Sequence, residues 1–316
     1  MAPPSGPVAP LNPGDLVVRP AHGDPLYRRM SRGVLRSVGA STSRDVHDRT
    51  TRASGLQRPV TTGRRIVVTS VRGGAGKSTL SALIGTIFSY FRQDRVLVID
   101  ADPGLGSLPL RLGAGSARTL RDLARATARP ASFDDLKPYL SATHTGLWLL
   151  AGPGGAANVV DESAGETEAA VYRAIAADLS RFFGITVIDC GGGLMGTPTA
   201  ALMADAHAHL LVTPATPDGA FSARSALDWM AANGLGPLVR RTVAVFVTHA
   251  PHAGADLTRA AELLRPDGVS VLSVGYDRHL ATGAPIDQHR LAESTRIAAE
   301  RIAAEALAYA TSEEAQ

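Results

Sequence analysis

The stretch that decides the fold runs from Ile66 to Thr79 and reads IVVTSVRGGAGKST. Apolar and β-branched residues from Ile66 to Val71 predict a buried strand, and apolar residues at helical spacing after Thr79 predict a helix. The loop between them is Arg72-Gly73-Gly74-Ala75-Gly76-Lys77-Ser78-Thr79. A strand, a glycine-rich loop and a helix in this order form a cradle for phosphate, because the loop amides and the helix N-terminus both face the anion.

Lys77 and Ser78 give this cradle its expected chemistry. Lys77 would supply a cation for the β- and γ-phosphates of a nucleotide, and the Ser78 hydroxyl would bind Mg²⁺. The strict pattern G-x-x-x-x-G-K-[ST] fails, since Val71 stands in place of its first glycine. The variant K-G-G-x-G-K-[ST] matches except at its first position, which is Arg72. Lys77 and Lys137 are the only lysines in the chain, so a lysine kept at this place favours a phosphate-binding role.

Outward from this loop, short apolar runs alternate with helical patterns through the rest of the chain. This alternation is typical of a parallel sheet covered by helices on both faces. We therefore predict an α/β domain over residues 64–312, with a doubly wound, mostly parallel sheet of about seven strands flanked by helices. The predicted strands are Ile66 to Val71, Val96 to Ile99, Leu147 to Leu150, Ile185 to Ile188, His209 to Val212, Val243 to Val247 and Val269 to Val274.

Three aspartates follow two of these predicted strands. Asp100 and Asp102 follow the second, in Asp100-Ala101-Asp102-Pro103-Gly104, and Asp189 follows the fourth, in front of three glycines. Ligands of open parallel sheets bind beyond the carboxyl ends of the strands, so we expect these carboxylates to meet the phosphate loop at one site. Asp189 has the form of a Walker B residue that binds Mg²⁺. Asp100 and Asp102, two positions apart in an extended segment, would both face the metal and the attacking water.

Together these segments resemble the MinD/ParA-type deviant Walker ATPases, whose motifs are K-G-G-x-G-K-T, D-x-D-x-G-L-x-x-L and D-x-x-x-G. The resemblance covers about Arg64 to Leu307 and implies a P-loop NTPase fold. Within that family the chain is most similar to the EspI-type MinD-like ATPases associated with actinobacterial ESX (type VII) secretion. Further residues that carry this closer resemblance lie in three segments: Asp218-Gly219-Ala220, Ala226-Leu227-Asp228-Trp229 and Asp277-Arg278-His279.

The resemblance implies ATP and Mg²⁺ as ligands and assigns roles to single residues. Asp102 would position the attacking water, with Asp100 beside it, and Arg72 would reach the phosphates of a partner chain in an ATP-dependent homodimer. Arginine at that position either keeps the lysine's role or slows hydrolysis. The residues expected to bind nucleotide are Gly73, Gly74, Ala75, Gly76, Lys77, Ser78, Thr79, Thr248 and Asp277; those expected to bind metal are Ser78 and Asp189.

The predicted base pocket favours adenine. Guanine-specific relatives carry N-K-x-D or T-K-x-D after a late strand, whereas the strand from Val243 leads into Thr248-His249-Ala250-Pro251. The family usually offers Asn near Thr248, so this contact departs from its pattern. The loop Gly275-Tyr276-Asp277 is the other expected wall.

The N-terminal residues differ in composition from the rest. Residues 1–65 contain 11 Arg and 4 Asp, with many Pro, Gly, Ser and Thr, and we predict that residues 1–63 are a disordered leader. A basic arm of this kind permits nonspecific binding to DNA. Cys190 is the only cysteine, which excludes an internal disulfide or a Cys-rich metal centre and fits a cytoplasmic protein. We expect no stable membrane anchoring, since the C-terminal helix mixes both charges.

The sequence thus predicts an ATPase that binds Mg-ATP, dimerises on it and hydrolyses it as a timer for partner binding, with type VII secretion components as partners. Two alternatives stay open: a ParA-like partition ATPase that binds DNA nonspecifically, and a nucleotide-binding scaffold that no longer hydrolyses. A metal-cluster carrier of the same fold is disfavoured by the single cysteine.

Overall fold

The structure, a computed structural model, describes residues 42–102, 106–115, 118–126, 128–152, 173, 175–194, 197–251, 257–264 and 268–312. Eight strands form one sheet in the order β3-β4-β2-β5-β1-β6-β7-β8, and every pairing is parallel except β3 with β4. The strands are β1 (Arg64–Ser70), β2 (Val96–Ala101), β3 (Ser141–Ala142), β4 (Trp148–Leu150), β5 (Ile185–Cys190), β6 (Ala208–Pro214), β7 (Thr242–Val247) and β8 (Ser270–Val274). The predicted fold class is confirmed, with β3 as an additional two-residue strand.

Helices cover both faces of the sheet. In the described part of the chain they include α1 (Thr42–Leu56), α2 (Lys77–Phe91), α3 (Leu108–Leu112), α4 (Leu120–Ala124), α5 (Phe133–Leu136), α6 (Thr197–Ala204), α7 (Pro217–Ala232), α8 (Gly236–Val239), α9 (Leu257–Leu264) and α10 (Glu293–Ala310). Short 3₁₀ helices follow at Lys137–Tyr139, Leu280–Thr282 and Gln288–Arg290. Among the described residues no helix is long and apolar enough to cross a membrane.

Alternation along the strands builds two apolar cores, one on each face. In β1, Val67 belongs to the core beneath α7, while Ile66 and Val68 belong to the core beneath α2 and α10. All three side chains are fully buried. Because both faces of the sheet are buried, the strand sequences are continuous apolar runs. The polar residues that follow these runs therefore mark where the strands end.

The prediction that residues 1–63 are disordered is wrong for Thr42–Leu56, which form α1. This helix packs on α10: Leu56 is fully buried, and Arg52 Nε lies 3.0 Å from Glu300 Oε2 in a largely buried ion pair. This segment contains few apolar residues, so its sequence shows no apolar periodicity that would predict a helix. Packing against α10 stabilises it instead. Residues 1–41 lie outside the described residues, so the rest of that prediction stays a prediction.

A buried histidine lies in the middle of the sheet and joins three strands. His209 of β6 has Nε2 at 2.8 Å from Thr69 Oγ1 and Nδ1 at 3.0 Å from Thr242 Oγ1. The Thr242 hydroxyl donates to Leu238 O, so its oxygen accepts the proton of Nδ1–H, and Thr69 donates to Nε2. This network holds a neutral imidazole, and burial lowers the pKa of His209 to about 3.

Acid is therefore expected to destabilise the fold through His209. Because the unfolded chain binds this proton near the ordinary histidine pKa and the folded chain does not, stability falls as the pH drops from about 6.5 towards 3. At pH 5 the loss in free energy of unfolding is about 2 kcal/mol. His209→Gln should remove that part of the difference between urea denaturations at pH 7 and pH 5. His144→Gln, at an exposed histidine, is the control, and an unchanged difference in His209→Gln would contradict the assignment.

Candidate functional site

The carboxyl ends of the central strands open into one pocket of about 430 Å³. Its walls come from the loop after β1, the segments after β2 and β5, and the loops after β7 and β8. The lining residues are Gly73, Gly74, Gly76, Lys77, Ser78, Thr79, Asp102, Ser107, Arg111, Gly192, Val247, Thr248, His249, Val274, Gly275, Tyr276, Asp277, Leu280 and Ala281. The convergence expected from the sequence is thus present in the structure.

The glycine-rich loop has the backbone of a phosphate cradle. Gly74 and Gly76 have φ of 76° and 100°, a conformation that disfavours side chains, and Gly76 directly precedes the first residue of α2. This curl turns the chain from β1 into the helix, whose first amides lack intrahelical partners and carry the positive end of the helix dipole. The loop and the start of α2 therefore form a binding site for an anion.

Lys77 opens α2 and lines the pocket although its side chain is largely buried, with 8% of the residue exposed. Ser78 and Thr79 follow it in the wall, half-buried. A lysine held at a helix N-terminus repels the positive end of the dipole, so its placement is favourable when an anion lies between them. These three side chains point to a polyphosphate as the ligand of this end of the pocket.

Asp189, the next-to-last residue of the central strand β5, has a carboxylate with only one of its two oxygens hydrogen-bonded. Its Oδ1 accepts a hydrogen bond from Ser81 Oγ at 3.1 Å, whereas Oδ2 is buried without a hydrogen-bond partner. Burial raises the pKa of Asp189 to about 7, and the Ser78 hydroxyl nearby opposes that rise. A buried carboxylate oxygen with no partner, next to a hydroxyl, matches the oxygen donors that Mg²⁺ prefers. The residues present therefore fit a magnesium ion.

Asp100 and Asp102, both expected to face the metal and the attacking water, differ in burial, and Asp100 is the register partner of Asp189 across β2 and β5. Asp102 lines the pocket, while Asp100 is buried and accepts a hydrogen bond from the Asp102 backbone N–H at 3.1 Å. A side chain at Gly106 would collide with the Asp100 carboxylate, which packs closely against that glycine. Burial raises the pKa of Asp100 to about 6, and the Asp102 N–H opposes the rise. Asp100 thus holds the segment that presents Asp102; residues 103–105 lie outside the described residues.

Arg72 lies outside the pocket wall, at the surface. Its Nη1 is 2.7 Å from Asp218 Oδ2 at the start of α7, and more than half of each side chain is exposed. The Thr216 hydroxyl donates to the other carboxylate oxygen, and this hydrogen bond is the main reason that the pKa of Asp218 is lowered. Exposed ion pairs of this kind contribute at most about 1 kcal/mol, so Arg72 can leave Asp218 at little cost.

Thr248 and Asp277 lie in the far wall of the pocket, but they differ in the hydrogen-bonding groups that they can offer to a nucleotide base. Asp277 is buried, and its carboxylate accepts hydrogen bonds from the backbone N–H groups of His279, Leu280 and Ala292. Its oxygens are therefore engaged in holding the loop after β8. Thr248 is half-buried, and its backbone N–H donates to Val274 O, which ties the ends of β7 and β8 together.

The predicted site residues thus fall into two groups. Arg72, Ala75, Asp100 and Asp189 lie beside or behind the pocket wall, whereas the other predicted residues line it. Sequence reasoning missed Ser107, Arg111, Leu280 and Ala281 in the wall. Arg111 had one usable signal: it is a charged residue in the apolar stretch Leu108 to Leu112 that follows the Asp102 motif.

Comparisons with known proteins agree with this fold and pocket. Residues 66–265 match the CobQ/CobB/MinD/ParA nucleotide binding domain. ESX-1 secretion-associated protein EspI of Mycobacterium tuberculosis is 32% identical over 227 residues, which cover 70% of this chain. Those residues are 33% of EspI, so the chain spans about a third of that relative's length.

Solved structures show the same fold at low sequence identity. The ParA family ATPase from Chlorobium tepidum superposes with a TM-score of 0.63 at 16% identity, over 76% of this chain and 98% of that one. MinD complexed with Mg-ADP from Pyrococcus horikoshii gives 0.59 at 17% identity, over 76% and 94%. The resemblance predicted from the motifs is confirmed: the chain belongs to the CobQ/CobB/MinD/ParA nucleotide-binding family.

Proposed function

We propose that this chain is an ATPase that binds Mg-ATP in the pocket and acts as a nucleotide-dependent dimer switch in type VII (ESX) secretion. The observation that carries the proposal is the meeting of largely buried Lys77, the Ser78–Asp189 pair and Asp102 around one pocket. Phosphoryl transfer needs a cation on the phosphates, a metal site and a group that orients water, and each is represented there. Membership of a nucleotide-binding family supports the same ligand class.

In this proposal each residue has a separate task. The loop amides and Lys77 bind the polyphosphate, and Thr79 contacts the α-phosphate. Ser78 and Asp189 hold Mg²⁺, which when bound neutralises charge on the phosphate oxygens. Asp102 orients the attacking water at the pocket, and Asp100 fixes the Asp102 backbone from behind. The loops around Thr248 and Asp277 enclose the base.

Dimerisation is proposed from the position of Arg72. Its guanidinium projects from the phosphate loop at the surface, where it pairs with Asp218 rather than lining its own pocket. Phe221, one turn further along α7, is 66% exposed, which is unusual for so large an apolar side chain. A second chain that covers this surface would bury Phe221 and receive Arg72 at its phosphates, as an arginine finger does.

The secretion context rests on EspI, whose name associates it with ESX-1 secretion. Since the chain covers a third of EspI, partners among type VII components, like a cytoplasmic location, are part of the proposal. Two other functions have an observation in their favour. The 11 arginines among residues 1–65 favour a ParA-like ATPase that binds DNA nonspecifically. Arginine in place of lysine at position 72 favours a scaffold that binds nucleotide without turnover.

Titration of the wild-type chain with nucleotide, in parallel with phosphate release, tests the proposal. We expect one ATP to bind per chain in the presence of Mg²⁺, at least about tenfold more tightly than GTP, and phosphate release that stops when EDTA removes the metal. Binding without release would favour the scaffold. Absence of ATP binding at millimolar concentration would refute the proposed function.

A further inference from the structure

Arg111 is a pocket cation that none of the recognised motifs explains. It belongs to the short helix α3, after the Asp102 motif, and lines the pocket together with Lys77. Its side chain is half-buried, and Nη1 donates a hydrogen bond to Leu280 O at 3.0 Å. Its backbone carbonyl accepts from Ile286 N–H at 2.8 Å. Both contacts fix Arg111 against the loops that follow β8.

The charge of Arg111 has no counterion within the described part of the chain. Its side chain donates there to a neutral carbonyl, and burial lowers the pKa of the guanidinium. Asp277, the carboxylate in the same wall, is committed to three backbone N–H groups. A guanidinium carries five N–H donors, so most of them have no acceptor among the residues that the structure describes. The remaining donors are available to a ligand that brings hydrogen-bond acceptors into the pocket.

The position of Arg111 says which part of a nucleotide would supply them. Its partner Leu280 lies in the wall that also contains Tyr276 and Thr248, at the ends of β8 and β7. The phosphate cradle, Gly73 to Thr79, lies at the end of β1 and the start of α2. With the phosphates in the cradle, the sugar and base extend towards the loops after β7 and β8, where Arg111 is fixed.

We propose that Arg111 binds the nucleoside end of the nucleotide, donating hydrogen bonds to ribose hydroxyl or purine ring acceptors while one N–H remains on Leu280 O. This inference rests on the proposed function, since it needs a nucleotide in the pocket. It adds a specificity-determining residue that distinguishes a nucleotide from a bare polyphosphate. Arg111 also couples the Asp102 segment to the loop after β8, because α3 follows that segment and the Arg111 side chain holds that loop through Leu280 O.

The test compares three probes, ATP, ADP and inorganic tripolyphosphate, each with Mg²⁺ and the full chain. We expect Arg111→Met to weaken ATP and ADP binding by about tenfold each, because both contain the nucleoside, and to leave tripolyphosphate binding unchanged. Arg111→Gln keeps a donor for Leu280 O, so it removes the contacts to the ligand without removing the hydrogen bond that holds the pocket wall. We expect this variant also to bind ATP more weakly, while its melting temperature without nucleotide stays unchanged. Arg129→Met, at an arginine with a 75% exposed side chain outside this pocket, is the control.

Two outcomes overturn the inference. If both Arg111 variants bind ATP as the wild type does, Arg111 is no ligand. If tripolyphosphate binding falls as much as ATP binding, Arg111 acts on the phosphates and the assignment to the nucleoside is wrong. Failure of the wild-type chain itself to bind ATP is a different result, since it refutes the proposed function before Arg111 is tested.

Discussion

Replacing Lys77 by alanine is expected to reduce ATP affinity by more than about a hundredfold. The wild-type lysine is largely buried at the start of α2 and lines the pocket, so the variant loses a desolvated cation at the phosphates. No other cation of the loop, which the structure describes in full, lines the pocket and could replace it. Hydrogen bonds to charged groups contribute about 1.5–3 kcal/mol each, and Lys77 would make more than one with a polyphosphate. Calorimetric titration with Mg-ATP measures the loss.

The chain offers a matched control, because its other lysine lies elsewhere. Lys137 is on the surface, half-exposed, and pairs with Asp134 at 2.6 Å, so Lys137→Ala should bind ATP as the wild type does. If Lys77→Ala bound ATP with wild-type affinity, the phosphates could not lie in the loop Gly73 to Thr79, and the site assignment would be wrong.

Replacing Asp102 by alanine is expected to preserve ATP binding and to slow hydrolysis by about 10²–10⁴-fold. Asp102 lines the pocket, whereas its backbone N–H, which the substitution keeps, provides the contact to Asp100. The change therefore removes the group that orients water without dismantling the segment. Single-turnover phosphate release at saturating ATP measures the step directly. Asp134→Ala, at an exposed aspartate, is the control, and undiminished turnover in Asp102→Ala would show that another group positions the water.

The fold was predictable because its strands are buried on both faces. A strand with apolar neighbours above and below reads as an uninterrupted apolar run, as in Ile185 to Ile188, and such runs separate cleanly from the helices between them. The site was predictable where the backbone itself needs a particular residue, as at Gly74 and Gly76 with their positive φ. Aspartates at strand ends followed from topology alone.

What sequence reasoning missed depends on contacts between distant segments. Helix α1 has too few apolar residues to indicate a helix, and it is held by α10 through Leu56 and the Arg52–Glu300 pair. Little in the sequence distinguishes Arg111 from the many other arginines, because its place in the pocket wall depends on a hydrogen bond to Leu280, which lies far along the chain. Asp277, predicted to bind nucleotide, lines the pocket, and its carboxylate also accepts hydrogen bonds from three backbone N–H groups that the sequence cannot reveal.

The central claim is that bound ATP joins two chains, and the Asp102→Ala variant tests it without the complication of turnover. Its mass in solution is measured by light scattering, first without nucleotide and then with saturating Mg-ATP. The account predicts a mass near that of one chain, 32.8 kDa, without nucleotide, and twice that value with ATP. A variant that binds ATP, shown by titration of the same sample, yet keeps the mass of one chain would contradict the proposed dimer switch.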